Sequence, residues 1–233
     1  MMEKAHDYLE VDRIHHIDML ETLDRKIGDV IYADDDGVLI YNKPGETYML
    51  STESFELLQK MCDLIKETSV VTTHQPQFVP YLKERFNLTE TMECFHSAYL
   101  TDNLINEQIP EGIEFRKLTL SEFDFVFKNY NRISDADYLA DRINSGMIGA
   151  FSEGEPVGFI GTHSEGAMGM LQLLPDFRRR GIAFSLEAAL INQMVKLGQI
   201  PYGQIVTTNS ASIGLQKKLG MSLSDKTIVW VFK

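Results

Sequence analysis

Three consecutive arginines, Arg178, Arg179 and Arg180, are followed by Gly181 and then by a run with helical spacing. Ahead of them an apolar segment with Leu171, Leu173 and Leu174 is closed by Pro175. Proline cannot donate to a ladder, so the segment reads as a strand ending there. Ile182, Leu186, Ala189, Leu190, Met194 and Leu197 recur at helical intervals, which predicts a helix opening near Ile182 and stopped by Gly198. Strand, basic glycine turn and helix N-terminus together suit an anion. The first helical turn has N–H groups without intrahelical partners, and its dipole end is positive. Gly181 lets the backbone come close, and Ala183 keeps the next turn small. The plain alternative is an ordinary strand-to-helix turn with solvated arginines.

Arg178-Arg179-Arg180-Gly181-Ile182-Ala183 resembles the Gln/Arg-x-x-Gly-x-Gly/Ala signature of the GNAT superfamily of acyl-CoA-dependent N-acyltransferases. Leu173-Leu174-Pro175-Asp176-Phe177 stands where that superfamily has its strand end, proline, acid and aromatic. Downstream, Asn209 to Met221 resembles the next motif, with an Asn-x-x-Ser start at Asn209 and Ser212 and a Lys-Leu-Gly-Met finish. The Ile200-Pro201-Tyr202 lead-in and the Lys-Lys-Leu-Gly ending look most like the glycine N-acyltransferase-like branch. The likeness runs from about Ile113 to Lys233.

The resemblance implies a coenzyme A-dependent N-acyltransferase using acetyl-CoA or another acyl-CoA on the amine of a small molecule or amino acid, with no metal. The pyrophosphate would sit on the backbone from Arg178 to Ala183. The pantetheine arm would run along Leu173 and Leu174, with Asn209 and Ser212 beside it. Capping of the next helix alone would also explain Asn209. A backbone N–H near Leu173 would polarise the thioester carbonyl.

Proton handling is less fully provided. Many members have a tyrosine seven residues after the asparagine as general acid; this chain has Gln216. The branch's glutamate base falls on Ala167, so Glu165, two residues earlier, is the candidate base, with His163 further back. Residues 165, 167, 169 and 171 should share one strand face. Glu165 as an ordinary solvated turn residue is the competing reading. The rival function is a non-catalytic acyl-CoA-binding or sensing protein. A nucleotide-phosphate enzyme fits poorly, because neither a P-loop nor a Rossmann glycine pattern is present.

These residues need a mixed α/β fold to position them: a GNAT-like, mostly antiparallel central sheet flanked by helices. The pattern of the second half, residues 113–233, predicts strands at 113–118, 147–152, 156–163, 167–174, 200–207 and 227–232. Helices are predicted at 121–130, 135–144 and 211–219 besides the one at Ile182. Ser121 and Ser134 or Asp135 are the expected caps. Residues 102–112, with Pro110 and Gly112, read as a linker.

The first half, residues 1–105, reads as a degenerate domain of related shape. A helix is expected over 2–26, strands at 29–33, 38–42, 47–50, 69–73 and 92–100, and helices at 52–66, capped by Ser51 or Thr52, and 77–86. Asp34-Asp35-Asp36-Gly37 is a hairpin turn. Val70-Val71-Thr72-Thr73-His74 echoes Ile205-Val206-Thr207-Thr208-Asn209, an offset of 209 − 74 = 135 residues. His6, His15 and His16 do not fall at i, i+4 on one helix face, so they are expected to be solvated rather than metal-binding.

A chain of 233 residues with 44% hydrophobic residues can bury a substantial core. Its net charge of −12 argues against nucleic acid as a partner and is compatible with a cationic amine. No apolar run approaches the roughly 18 residues that span a bilayer, and the charged N-terminus lacks an apolar signal core. Cys62 and Cys94 fit neither a zinc spacing nor a disulfide framework. The expectation is therefore a cytoplasmic protein with no membrane contact, a homodimer being one open arrangement.

Overall fold

The computed structural model describes all 233 residues, and they pack as two compact units. The first unit joins Met1–Ala98 to Tyr202–Gly214 and Met221–Lys233; the second is Tyr99–Pro201 with Leu215–Gly220. With elements numbered along the chain, the first unit has strands β1 (Gly28–Ala33), β2 (Gly37–Asn42), β3 (Thr47–Thr52), β4 (Val70–Thr73), β5 (Glu90–Ala98), β10 (Tyr202–Val206) and β11 (Ser222–Phe232). Their order is β1-β2-β3-β4-β11-β5-β10. Only β3 and β4 are parallel. That pair needs a crossover, which α3 (Phe55–Asp63) supplies.

Both faces of this sheet are covered, and strand alternation shows how. On β2, Leu39 points toward α3 and α4 (Val79–Phe86), where Leu58, Met61 and Leu82 close the core. Val38 and Ile40 point the other way, to Leu9 and Leu20 of α1 (Met2–Glu10) and α2 (Ile17–Asp24).

The second unit orders β9 (Met168–Leu173), β8 (Glu155–Thr162), β7 (Ile148–Ser152) and β6 (Ile113–Lys117), all antiparallel. Helices α5 (Phe123–Asn129) and α6 (Ala136–Asn144) bury Val126, Leu139 and Ile143 against Phe151, Phe159 and Met170. Helix α7 (Ile182–Lys196) packs along β7, β8 and β9. The expected linker has no regular structure but is held down. Asn192 of α7 accepts from Ile105 N at 2.8 Å and donates to Ile105 O at 2.9 Å, and Ser185 Oγ donates to Gln108 O at 3.0 Å. Helix α8 (Ser210–Lys218) completes the chain's elements. No helix is long and apolar enough to cross a membrane.

Several local expectations are corrected. The helix expected over 2–26 is two helices, α1 and α2, separated by turns. Leu9 and Ile14 are five apart, which breaks the apolar stripe. Strand β3 runs through Thr52, so α3 is capped by Ser54, whose side chain accepts from Leu57 N at 3.3 Å, and not by Ser51 or Thr52. Thr119, in a capping box with Glu122, caps the turn of helix leading into α5 in place of Ser121. Asp135 caps α6 as expected.

The histidine expectation fails for two of three residues. His15 and His16 are buried, at 2% and 6% exposure. Burial first, then the neighbouring His74, lowers His15 to about 3 and His16 to about 2. The turn between α1 and α2 directs both rings inward.

Candidate functional site

The strand leading to the basic turn carries a bulge. Phe159 of β8 pairs with Gln172 of β9, and Gly161 pairs with Gly169. Ile160 alone therefore opposes both Met170 and Leu171. Met170 adopts φ +55, a left-handed conformation uncommon for a non-glycine residue. The extra residue shifts the side-chain alternation: Met170 and Leu173 are both buried. Residues 165 to 171 consequently do not share a face.

Glu165 lies off the strand altogether. It sits in the turn between β8 and β9, where Gly166 N donates to His163 O at 3.0 Å and His163 N to Ala167 O at 2.8 Å. Its side chain is buried at 8% exposure, not solvated. Its charge adds to burial in raising the phenols of Tyr130, to about 12, and Tyr138. The Tyr138 hydroxyl accepts from Ser164 N at 3.3 Å and lies 3.0 Å from His163 Nδ1. Tyr138 and His163 are thus in contact at the head of β9, and the Glu165 charge acts on the Tyr138 phenol.

At the other end of β9 the chain does what the turn residues demand. Pro175–Phe177 makes a single helical turn, and Arg178 Nε donates back to Leu173 O at 3.1 Å, holding the strand end. Arg179 has φ +59, and Gly181 has φ +86. Gly181 is the N-cap of α7, and no side chain caps that helix. Ser185 is the first α7 residue whose N–H is taken up within the helix, by Gly181 O at 3.1 Å. The N–H groups of Ile182, Ala183 and Phe184 therefore mark the positive end of a 15-residue helix. The Ile182 side chain belongs to the core, so only its backbone faces the turn. All three arginines are exposed, and Arg180 stacks over Phe177 at 5.1 Å. A Cβ on Gly181 would meet nothing nearer than Pro110 Cγ at 3.8 Å, so the space over the turn is open.

Leu173, Leu174, Arg178, Arg179, Arg180, Gly181, Ile182 and Ala183 thus lie together in one strand–turn–helix of the second unit. Asn209 and Ser212 belong to the first unit. There Asn209 Oδ1 accepts from Ser212 N at 3.1 Å, the geometry of a cap on α8.

One titratable group escaped the sequence reading. Glu187 lies on α7 with 5% exposure, and burial pushes its carboxyl up to about 7. Gln216 donates to Glu187 Oε1, which partly offsets the rise, while Oε2 has no hydrogen-bond partner. The available signal was a lone acid inside the apolar run Leu186–Ile191. Gln216, noted only for not being a tyrosine, is committed to this carboxyl.

Residues 147–231 match the sequence model of the FR47-like protein family. No curated protein matches the sequence. Among solved structures, a Drosophila protein superposes with a TM-score of 0.70 at 18% identity, over 100% of this chain and 95% of its own. A GCN5-related N-acetyltransferase-like protein from Streptococcus suis gives 0.54 at 15% identity, over 99% and 100%. A GCN5-related N-acetyltransferase from Kribbella flavida gives 0.57 at 14% identity, over 94% and 95%. The fold is that of the GNAT acetyltransferases. At these identities the likeness establishes architecture, and the chemistry has to be argued from the residues.

Proposed function

We propose that this chain transfers an acyl group from acetyl-CoA or another acyl-CoA to the amine of a small molecule or amino acid, as a member of the glycine N-acyltransferase-like branch. The observation that carries the reading is the left-handed, side-chain-free Gly181 opening the uncapped α7 directly behind the strand that ends at Leu173. The pyrophosphate would be held by the N–H groups of Ile182 and Ala183, with Arg178, Arg179 and Arg180 adding charge. The pantetheine would lie along Leu173 and Leu174. The bulge gives β9 an irregular ladder before Leu173, which is where an N–H free to polarise the thioester carbonyl is needed.

An amine must lose a proton before it attacks. Glu165 is the base we assign, with Tyr138 and His163 beside it to pass the proton. Glu165→Gln should slow thiol release from acetyl-CoA at pH 7 and leave acetyl-CoA affinity intact, with the deficit shrinking at high pH. An unchanged pH–rate profile removes Glu165 from the mechanism.

A sensing role without catalysis is the second reading. It is favoured by Gln216, which cannot act as tyrosine would and is tied to Glu187, and by Ala167 in the place of a glutamate. Isothermal titration with acetyl-CoA, paired with thiol release across an amine panel, separates the two. Binding with turnover supports the enzyme, binding without turnover supports the sensor, and no binding removes both. We take 1–105 and 113–233 as two related GNAT-like halves, the first without a phosphate turn. The buried cysteines Cys62 and Cys94, which form no disulfide, fit a reducing, cytoplasmic setting.

A further inference from the structure

Asp18, His74 and His96 meet inside the first unit, their side chains fully buried. They come from the start of α2, the residue after β4 and the C-terminal part of β5, so the sheet and helix packing brings them together rather than any local motif.

Their hydrogen bonds determine which atoms are free. His74 Nδ1 lies 3.1 Å from the carbonyl of Leu50, and a carbonyl only accepts, so Nδ1 carries the proton. His96 Nδ1 likewise donates to the carbonyl of His15 at 2.9 Å. In a neutral imidazole both Nε2 atoms are then lone pairs. His74 Nε2 points at Asp18 Oδ1 at 2.9 Å, and His96 Nε2 lies 3.6 Å from Asp18 Oδ2. Oδ1 also accepts from Met19 N at 2.8 Å, whereas Oδ2 has no hydrogen-bond partner. Gln204 donates to His96 Nε2 at 3.3 Å, and its orientation is fixed because its oxygen accepts from Trp230 Nε1 at 2.9 Å. His96 Nε2 is therefore unprotonated, and an ion would take its one lone pair in place of the Gln204 amide.

Three acceptors thus converge in a buried space, where acceptors facing one another repel unless a cation lies between them. A proton on His74 Nε2 satisfies Oδ1 alone. It leaves Oδ2 without a partner. A divalent ion satisfies both imidazoles and the carboxylate together.

We propose that Asp18, His74 and His96 form a transition-metal site of zinc type in the first unit. Donors around a tetrahedral zinc stand about 3.3 Å apart, given metal–ligand distances of about 2.0–2.1 Å. His74 Nε2 lies 2.9 Å from Asp18 Oδ1 and His96 Nε2 3.6 Å from Oδ2, and one ligand atom from each of the three residues lies within 4.8 Å of the others. The two Nδ1–carbonyl hydrogen bonds are the outer-shell contacts that aim and fix metal-binding imidazoles. Two nitrogens and a carboxylate suit zinc or a similar first-row ion and not calcium or magnesium, which take oxygen ligands. Enclosure means the ion enters as the chain folds, joining three segments distant in sequence.

The test uses the untagged full chain expressed in zinc-supplemented medium, freed of loose ions by gel filtration and assayed for all first-row metals. About one tightly held metal per chain is expected, and none would overturn the site. His96→Gln should lower that content at least tenfold while the far-UV circular dichroism is unchanged. A folded variant that keeps its metal would overturn the assignment. Zinc-edge X-ray absorption of the wild-type chain decides the case without a variant: a shell with two imidazoles supports the site, and a shell with none overturns it.

Discussion

Glu187 offers the most direct measurement of what burial does in this molecule. Its carboxyl is pushed from the ordinary 4.5 up to about 7, chiefly by desolvation. Between those values the folded chain holds a proton that the unfolded chain has released. Stability from this group is therefore complete below about pH 4.5 and is lost as pH rises through about 7. One pKa unit is worth about 1.36 kcal/mol, so the full loss is about 3.4 kcal/mol, of which about 2.5 kcal/mol falls between pH 5 and pH 8. Glu187→Gln removes the titration and keeps an oxygen to accept from Gln216. The variant should gain on wild type by about 2.5 kcal/mol over that interval in urea unfolding followed by circular dichroism. Other titrating groups cancel in the difference. Parallel stability profiles for the two proteins would refute the reasoning. A gain for wild type at high pH would mean that a cation faces the carboxylate.

Gly181→Ala and Gly154→Ala both place a Cβ at positive φ, +86 and +87, with no close contact, so each should cost about 1 kcal/mol in thermal or urea unfolding. Only the Gly181 variant should weaken acetyl-CoA binding in calorimetry, because only that Cβ stands over the α7 N-terminus. Asn209→Ala should destabilise by about 1 kcal/mol through loss of the α8 cap, and Asn209→Asp should restore it in the same assay. Gly158→Ala would press a Cβ to 2.2 Å from Leu173 Cδ2 and 2.7 Å from Gln172 O. It should cost about 1–3 kcal/mol on unfolding and lower acetyl-CoA affinity by displacing the strand end.

The basic turn was legible because its determinants are local. Pro175 stops a ladder, Gly181 takes a left-handed φ, and the helix behind it has a regular apolar stripe. The turn between the strands expected at 147–152 and 156–163 is equally local, with Glu153 and Gly154 at φ +51 and +87. The place of β11 was not legible. Val229 pairs with Thr73 on one side and Glu93 on the other, and nothing near residue 229 encodes partners so far away. The expectation that Glu165 shares a strand face with residues 167, 169 and 171 did not hold, because β9 begins only at Met168 and Glu165 lies in the turn before it; further along, a second local feature breaks the alternation. Strict alternation assumes an unbroken ladder, and the bulge at Met170 is a property of the β8–β9 pair rather than of either strand.

The histidines show the same limit at the level of chemistry. Testing His6, His15 and His16 for ligand spacing asks only whether one helix can present two donors on one face. The donors that converge here are Asp18, His74 and His96, each on a different element, and His15 serves through its backbone carbonyl. The internal echo in the sequence did touch this place: His74 stands in the first half where Asn209 stands in the second. Both follow a short strand and precede a helical segment. Asn209 turns its side chain onto the next helix as a cap, whereas His74 turns inward, its N–H and Nδ1 both on Leu50 O and its Nε2 on Asp18. Position after a strand therefore does not decide the role. What decides it is whether the following backbone needs a cap: α8 uses Asn209 for its first turn, while Pro76, which has no N–H to satisfy, opens the segment after Gln75 and leaves His74 free for the core.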